Sequence, residues 1–279
     1  MRADPDGVSW LLRHDGPVKT LARRVVPLAW RPHIKRVQWW GLRHHCLLCG
    51  SRVRRYLPEG YTFPVLRELD VVGGEHWPER ICPVCMAGTR SRLIWWYLQT
   101  ETRLLHEPAR LLHVAPEMCL ERRLSRLPQL SYHPADRDPR RYWFAGPVCQ
   151  LDLMALPYAD RSFDAIIANH VLEHVPDDKR AISELFRVLR PGGFALLQVP
   201  IAQRLARTLE DVPVYTDAER ERVYGQRDHL RLYGLDYPER LEQAGFAVRR
   251  WARHVEQGPE FVARWLLNPR EVVYVATRG

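Results

Sequence analysis

The sequence predicts an α/β protein with a doubly wound, mostly parallel sheet and a small zinc-binding module on its N-terminal side. Two observations lead to this prediction. From residue 110 onward, short apolar runs alternate with amphipathic segments, as expected for parallel strands that helices connect. Ahead of that alternation lie two Cys-x-x-C pairs, a spacing typical of metal ligands. A chain of 279 residues is long enough to bury one full-sized core and a small additional module.

The four paired cysteines predict a structural zinc site. Each pair, Cys46 with Cys49 and Cys82 with Cys85, can present two thiolates from one tight turn, and two such turns complete a tetrahedral shell for Zn²⁺. A four-sulfur shell leaves no open coordination position, so the metal would support folding rather than catalysis. Disulfides or unrelated thiols are the alternative. We expect this module to extend over residues 44–90.

The body of the chain, residues 91–279, is predicted to begin with a helix. Ser91 is its expected N-cap, and Pro108 is expected to end it. Strands and helices then alternate. The predicted strands are 110–115, 129–136, 147–150, 163–169, 194–199, 246–253 and 271–277, and the predicted helices between them are 117–127, 177–189 and 238–244.

The helix predicted over 177–189 has the clearest pattern. Asp177 and Asp178 place negative charge at its positive N-terminal end. Pro191-Gly192-Gly193 ends it and reverses the chain. Its apolar stripe, at i, i+3, i+4 and i+7, consists of Ile182, Leu185, Phe186 and Leu189.

The positive charge of the chain is concentrated near its N-terminus. Residues 1–43 carry a net charge of +6, whereas residues 44–279 carry +3 of the formal total of +9. This basic N-terminal arm could contact anionic lipid, an acidic partner or RNA. The nearly neutral remainder argues against a nucleic-acid enzyme, which usually spreads positive charge around its active-site face. The alternative for the arm is a solvated helix that docks through apolar residues, Trp10, Leu11, Leu12, Trp30, Trp39 and Trp40.

The apolar segments are too short for a membrane span, since none approaches the roughly 18 uninterrupted apolar residues that a span requires. The N-terminus does not have the layout of a signal peptide, because Asp4, Asp6 and Asp15 surround a very short apolar patch. We therefore expect a cytoplasmic protein.

Two segments of the body resemble a known family. Residues 152–178 read D-L-M-A-L-P-Y-A-D-R-S-F-D-A-I-I-A-N-H-V-L-E-H-V-P-D-D, and residues 184–193 read E-L-F-R-V-L-R-P-G-G. Together they resemble class I S-adenosylmethionine-dependent methyltransferases, most closely the branch often called methyltransferase type 11. The similarity extends over residues 108–279. It implies a Rossmann-like sheet of seven strands whose last strand is antiparallel, and methyl transfer from the sulfonium of the cofactor.

The resemblance also implies where the cofactor binds. Asp136, at the end of the second predicted strand, matches the acidic residue that accepts hydrogen bonds from both ribose hydroxyls. Asp138 is a nearby rival, and the alternative for Asp136 is a plain turn residue before Pro139.

The remaining cofactor positions follow the third and fourth strands. Asp152 and Leu153 match the adenine corner of the family. Asn169 and His170 match residues that line the methionine part of the cofactor. Glu173 and the neighbouring His174 are expected to fix this corner rather than to react.

The first βα turn departs from the family pattern. The family usually carries an acidic residue followed by G-x-G-x-G, because glycine lets the backbone approach the cofactor closely. Here His113 stands at the acidic position, and Ala115, Glu117 and Cys119 stand at the glycines. We predict that His113, Ala115 and Glu117 still bind the cofactor, with Glu117 pairing with the methionine ammonium. The alternative is a degenerate fold that does not bind it.

A long polar insertion, residues 201–235, separates the fifth strand of the sheet from the next helix. A loop of this length in a compact domain is usually a functional lid. His229 is a candidate general base, since imidazole titrates near neutrality, and His170 is a second catalytic candidate. Arg231 is a candidate clamp for a substrate carboxylate or phosphate. Alternatively, Asp228, His229 and Arg231 tie the lid to the body.

The predicted function is O- or N-methylation of a small-molecule or sugar-containing substrate, with S-adenosylmethionine as cofactor and Zn²⁺ as a structural ion. One alternative is an RNA methyltransferase that grips RNA with the zinc module and the basic arm. A second alternative is a non-catalytic methyltransferase-like module that mediates protein contacts.

Overall fold

The computed structural model describes residues 30–279. The predicted basic arm lies mostly outside these residues, as do Trp10, Leu11 and Leu12. In the described part of the arm, Trp39 packs against the core. Trp30 and Trp40 are exposed to solvent, so the prediction that they dock is wrong.

The module that follows is built from short elements. Its strands are β1 (Trp40–His45), β2 (Arg52–Val53), β3 (Leu57–Glu59), β4 (Val71–Val72) and β5 (Trp77–Ile81). β1 pairs with β2 and β3 pairs with β5, both antiparallel. The helices of this part are Arg31–Gln38 and Pro64–Glu68.

The body contains the remaining strands: β6 (Ala109–Val114), β7 (Leu130–Asp136), β8 (Cys149–Gln150), β9 (Phe163–Asn169), β10 (Leu189–Gln198), β11 (Ile201–Ala202), β12 (Ala247–Trp251) and β13 (Val273–Thr277). Its helices are Thr89–Glu101, Met118–Leu124, Asp178–Val188, Asp217–Tyr224, Tyr237–Gln243, Arg253–Glu256 and Pro259–Trp265. Short 3₁₀ turns lie at Pro139–Arg141 and Leu172–His174.

Seven of these strands form the central sheet, in the order β12-β13-β10-β9-β6-β7-β8. β6 to β10 run parallel to one another, whereas β13 is antiparallel to both β10 and β12. The predicted doubly wound, mostly parallel sheet with an antiparallel last strand is therefore confirmed.

Apolar residues cover both faces of the sheet because neighbouring residues of a strand point to opposite sides. Leu111 and Ile167 belong to the core on one face, whereas Leu112 and Ile166 belong to the core on the other. All four are fully buried. A strand covered on both faces reads as a continuous apolar run, which is why the sequence revealed these strands.

The helix Asp178–Val188 confirms its sequence pattern. Asp177 is the N-cap, and its side chain accepts the backbone N–H of Arg180 at 2.9 Å. The helix ends at Val188, and Pro191-Gly192-Gly193 lie inside β10, so the prediction that these three residues end the helix is wrong. Gly192 has a φ of 74°, which favours glycine.

The first helix of the body differs from its prediction at both ends. It begins at Thr89 rather than after Ser91, and it ends at Glu101, well before Pro108. Its cap comes from the module: the Glu59 carboxylate accepts the Thr89 N–H at 3.1 Å and the Thr89 hydroxyl at 2.8 Å. A cap supplied from 30 residues away leaves no local signal.

The module and the body are joined by a buried arginine. Arg92 is fully buried and donates hydrogen bonds to the carbonyls of Arg80 and Ala87 in the module. It also donates to the carbonyls of Trp265 and Leu266 near the C-terminus. Removing its side chain would leave four carbonyls without this partner.

The insertion 201–235 packs on the module rather than forming a free loop. β11 pairs antiparallel with β4 of the module. The helix Asp217–Tyr224 begins with a capping box formed by Thr216 and Glu219, and Tyr224 shares a small core with Leu66. Among residues 30–279, none of the helices is long and apolar enough to cross a membrane.

Candidate functional site

The predicted cofactor residues meet at the carboxyl edge of the central sheet. Val114 at the end of β6 is in register with Ala135 of β7 and Ala168 of β9. The residues that follow each strand, including Ala115, therefore come together at one edge. Ligands of open α/β sheets bind at this edge.

His113, Glu117 and Asn169 form a connected polar group at the first turn. His113 is fully buried, and its Nε2 lies 2.9 Å from Glu117 Oε2 while its Nδ1 lies 2.9 Å from the Tyr132 hydroxyl. Asn169 Nδ2 donates to Glu117 Oε1 at 3.0 Å. Burial opposes ionisation, but the hydrogen bond and charge of His113 lower the pKa of Glu117 below its ordinary value. A carboxylate therefore lies in the same corner as His113, four residues later in the chain.

Ala115 takes the backbone conformation that glycine would allow. Its φ is 49°, in the left-handed region that L-residues rarely adopt. The small methyl group keeps the departure from glycine minimal. Cys119, at the third glycine position, is buried, and burial raises the pKa of its thiol to about 12. It is a core residue.

The residues predicted to bind ribose and adenine lie at the end of β7 and in the loop after β8. Asp136 is half-buried; its Oδ1 accepts the Asp138 N–H at 2.6 Å, and its Oδ2 accepts the Tyr142 hydroxyl at 2.8 Å. Each carboxylate oxygen keeps acceptor capacity for a second donor. Asp152 is exposed and accepts the Met154 N–H at 2.9 Å, whereas its neighbour Leu153 is buried.

Arg90 is a site residue that sequence reasoning missed. It lies in the first turn of the helix Thr89–Glu101, and its guanidinium hydrogen-bonds His170 Nε2. Its Nε is buried and has no partner within the described structure. The sequence marked Arg90 only as the last residue of the module. The only signal for Arg90 in the sequence was its position shortly after the Cys82–Cys85 pair, at the start of a predicted helix.

His170 is held as a neutral imidazole. Arginine has only donors, so Nε2 must accept from Arg90 and the ring proton must sit on Nδ1. Burial and the charge of Arg90 lower the pKa of His170 well below its usual value. Its φ of 52° turns the chain sharply at the end of β9.

The insertion brings His229 beside Glu173 and His174. The three residues offer ligand atoms that all lie within 4.8 Å of one another. Burial, followed by the charge of His174, lowers the pKa of His229 to about 3. A histidine with so low a pKa is a weak proton acceptor at neutral pH.

Arg231 does not face a substrate site. It is buried and donates to the carbonyls of Leu172 at 2.9 Å, Val175 at 2.5 Å and Pro176 at 2.9 Å. The prediction of a substrate clamp is wrong. The alternative, that Arg231 ties the insertion to the body, is confirmed.

The four cysteines converge in the arrangement that a tetrahedral metal requires. Cys46 Sγ lies 3.8 Å from Cys85 Sγ, and Cys49 Sγ lies 3.8 Å from Cys82 Sγ. Tetrahedral Zn–S bonds of about 2.3 Å give sulfur–sulfur edges of about 3.8 Å. All four are free thiols rather than disulfides, and their ligand atoms lie within 4.8 Å of one another. The donor set and its spacing therefore fit Zn²⁺.

Comparison with known proteins identifies part of the body. Residues 129–197 match the family described as the methyltransferase domain. Over 79 residues the chain is 38% identical to an uncharacterized methyltransferase of Mycobacterium sp. (strain KMS), covering 26% of this chain and 31% of that relative. It is 36% identical over 118 residues to the 27-O-demethylrifamycin SV methyltransferase of Amycolatopsis mediterranei, covering 38% of this chain and 41% of that relative.

Solved structures are more distant from this chain. The YcgJ protein from Bacillus subtilis matches 67% of this chain and 98% of its own, with 16% sequence identity and a TM-score of 0.41. The aligned stretches of the two curated relatives amount to less than half of each relative, at 31% and 41% of their lengths.

Residues 129–197 therefore resemble a methyltransferase domain. The matched residues 129–197 include β7 to β9 and most of β10, and hence the positions of Asp136, Asp152 and Asn169. They begin after the first turn, where the sequence departs from the glycine pattern.

Proposed function

We propose that this protein is an S-adenosylmethionine-dependent methyltransferase that methylates an oxygen or nitrogen of a small-molecule or sugar-containing acceptor. The observation that carries the proposal is the polar group at the carboxyl edge of β6 and β9. An ionised Glu117 stands there beside Ala115, whose backbone takes the glycine-like conformation. The family match over residues 129–197 supports the same activity.

The residues of the edge fit the cofactor in charge and in hydrogen-bonding capacity. Glu117 offers a carboxylate to the methionine ammonium, and Arg90 offers a guanidinium to the methionine carboxylate. Asn169 Oδ1 is buried and has no partner in the described structure, so it is an unused acceptor at the same edge. Asp136 would accept from the ribose hydroxyls, and Asp152 from the adenine amine.

S-adenosylmethionine would supply an electrophilic methyl group on its sulfonium. The chain then has to bind the acceptor in line with that group and exclude water, which can account for much of the rate of such a displacement. The two predicted catalytic histidines suit this positioning better than proton transfer. His170 Nε2 is occupied by Arg90, and His229 has a pKa of about 3. Their predicted role in proton transfer stays a prediction.

A cleft between the module and the body is the candidate acceptor site. Its lining includes Glu59, Glu75, Arg90 and Glu271, together with Gly73, which adjoins His170. Carboxyl and guanidinium groups in this lining can form hydrogen bonds with the hydroxyl or amino groups of an acceptor.

The experiment that tests this proposal is transfer of a labelled methyl group. The full chain is incubated with labelled S-adenosylmethionine and either fractionated bacterial metabolites or total RNA. We expect label in a metabolite fraction and none in RNA. Label in RNA would instead support the RNA methyltransferase alternative, and no label in either fraction would contradict the proposed activity.

We further propose that the four cysteines bind Zn²⁺ as a structural ion. Two thiol pairs at the tetrahedral edge length support this assignment.

A further inference from the structure

A second group of metal-ligating side chains lies outside the cysteine module. We call it the Glu173–His174–His229 cluster. Glu173 and His174 belong to the 3₁₀ turn that follows β9, and His229 follows the helix Asp217–Tyr224 of the insertion. One ligand atom from each residue lies within 4.8 Å of the others. No part of the cofactor assignment uses these atoms.

Two members of the cluster carry buried polar atoms without partners. The Glu173 side chain is 1% exposed, and outside Glu173 itself neither carboxylate oxygen has a hydrogen-bond partner among residues 30–279. His170 Nδ1 lies 3.4 Å from Oε1 but is not aligned to donate. His229 is 5% exposed, and its Nδ1 has no partner within the same residues. Buried polar atoms are normally paired, so these need a ligand to satisfy them.

Each histidine has a ring nitrogen available as a metal ligand. His174 Nδ1 lies 3.1 Å from the Asp228 carbonyl oxygen, which can only accept, so Nδ1 carries the proton and Nε2 keeps its lone pair. For His229, Nδ1 is the buried ring nitrogen without a partner among residues 30–279, so it is available as a ligand atom. Metal-ligating histidines usually donate their second N–H to a carbonyl or carboxylate, as His174 does.

The backbone holds the two halves of the cluster in place. The Leu230 N–H donates to the Glu173 carbonyl at 2.8 Å. Next to it, the three hydrogen bonds of Arg231 fix the carbonyls of Leu172, Val175 and Pro176. Ligands held by rigid backbone bind a metal without a large ordering cost.

We propose that Glu173, His174 and His229 bind one divalent transition-metal ion. Two imidazoles and one carboxylate are a donor set that suits Zn²⁺ or Fe²⁺ rather than Mg²⁺ or Ca²⁺. Three protein ligands leave at least one coordination position for water or for an oxygen atom of a ligand. The cluster adjoins His170, so that position is suited to an acceptor hydroxyl; this last use rests on the proposed methyl transfer.

Metal content and cobalt binding test the proposal without cofactor or acceptor. The full chain is purified with its cysteine site filled by zinc and is then titrated with Co²⁺ by calorimetry and visible absorption. We expect one further equivalent of Co²⁺ to bind, with the weak bands of nitrogen and oxygen ligands and without the intense bands of cobalt thiolates. No Co²⁺ binding to the zinc-filled wild-type protein would overturn the proposal.

Two ligand variants and two matched controls localise the ion. Glu173→Gln and His229→Gln should lose this equivalent while keeping the zinc of the cysteines, which also reports that they are folded. Glu121→Gln and His254→Gln replace a buried carboxyl and a buried imidazole that are not members of the cluster, and they should bind Co²⁺ as the wild type does. Ligand variants that bind Co²⁺ like the wild type would contradict the assignment. Because no methyl transfer is measured, failure of this test is distinct from failure of the proposed function.

Discussion

At the scale of single residues, the first βα turn carries its carboxylate at a different position from the one that the family pattern predicts. His113 occupies the usual position of an acid, but its Nε2 holds Glu117 in the same corner at 2.9 Å. Asn169, at the end of β9, completes the hold on that carboxylate. The sequence predicted Glu117 as the substitute acid. It could not predict the part of His113, because only the folded turn brings the two side chains together.

We predict that Glu117→Gln weakens S-adenosylmethionine binding by about 10- to 100-fold, since a hydrogen bond to a charged group contributes about 1.5–3 kcal/mol. Calorimetric titration measures the change. 5′-Methylthioadenosine, which lacks the amino-acid part, is the matched ligand, and its affinity should not change. Glu107→Gln, an exposed site, serves as the control variant. Unchanged S-adenosylmethionine affinity in Glu117→Gln would remove Glu117 from the ammonium site.

Glu271 gives the fold a pH dependence. Burial raises the pKa of Glu271 to about 8, and nearby Glu59 and Glu75 raise it further while Arg90 opposes them. Because the folded-state pKa lies above the unfolded value of about 4.3, the unfolded chain releases this proton first and stability falls as pH rises between the two values. The contribution is neutral below that window and fully unfavourable above it.

We therefore predict that Glu271→Gln is more stable than the wild type at pH 8, and that the difference shrinks toward pH 5. Thermal unfolding of both proteins across this range measures the difference. The exposed Glu260→Gln variant should show no such trend. A wild-type protein that gains stability relative to Glu271→Gln as pH rises would contradict the burial of a neutral carboxyl.

At the scale of elements, the sequence predicted those helices and strands whose signal lies within their own residues. The strands of the sheet were predictable because continuous apolar runs mark strands buried on both faces. The start of the helix at Thr89 was not predictable, because the side chain that accepts the Thr89 N–H is Glu59 of β3. The insertion was expected to be a lid, but β11 pairs with β4, more than a hundred residues earlier in the chain. Contacts of this range leave no periodic signal in either partner.

The cysteine module yields the prediction at this scale. Cys46 and Cys82 are buried in the same core as Leu93 and Ile94 of the helix Thr89–Glu101. Removing a bound zinc ion would therefore destabilise this helix as well as the two Cys-x-x-C turns. Structural zinc contributes on the order of 10 kcal/mol to such modules.

We predict that the purified protein contains zinc and that Cys82→Ser loses it with a large fall in melting temperature. Elemental analysis and thermal unfolding are the measurements. Cys149→Ser, a change of an exposed thiol outside the module, should keep both the metal and the stability. Absence of any metal from the wild-type cysteines would show that the module is misassigned.

At the scale of the whole molecule, the module and the insertion both pack at the carboxyl edge of the central sheet. β4 pairs with β11, Arg92 ties the module to the C-terminal region, and Gly73 of the module adjoins His170. The proposed acceptor cleft is thus lined by parts of the chain that are distant in sequence. The number of strands in the sheet and the antiparallel last strand were predicted from the family resemblance. The way the module closes over the sheet was not, because no local motif specifies it.

The central claim is that a first turn without glycine still binds S-adenosylmethionine. Calorimetric titration of the zinc-loaded full chain with S-adenosylmethionine tests it most directly. We predict saturable binding of one cofactor per chain. A folded, zinc-loaded protein that shows no binding would contradict the claim and would leave the non-catalytic interpretation of this fold.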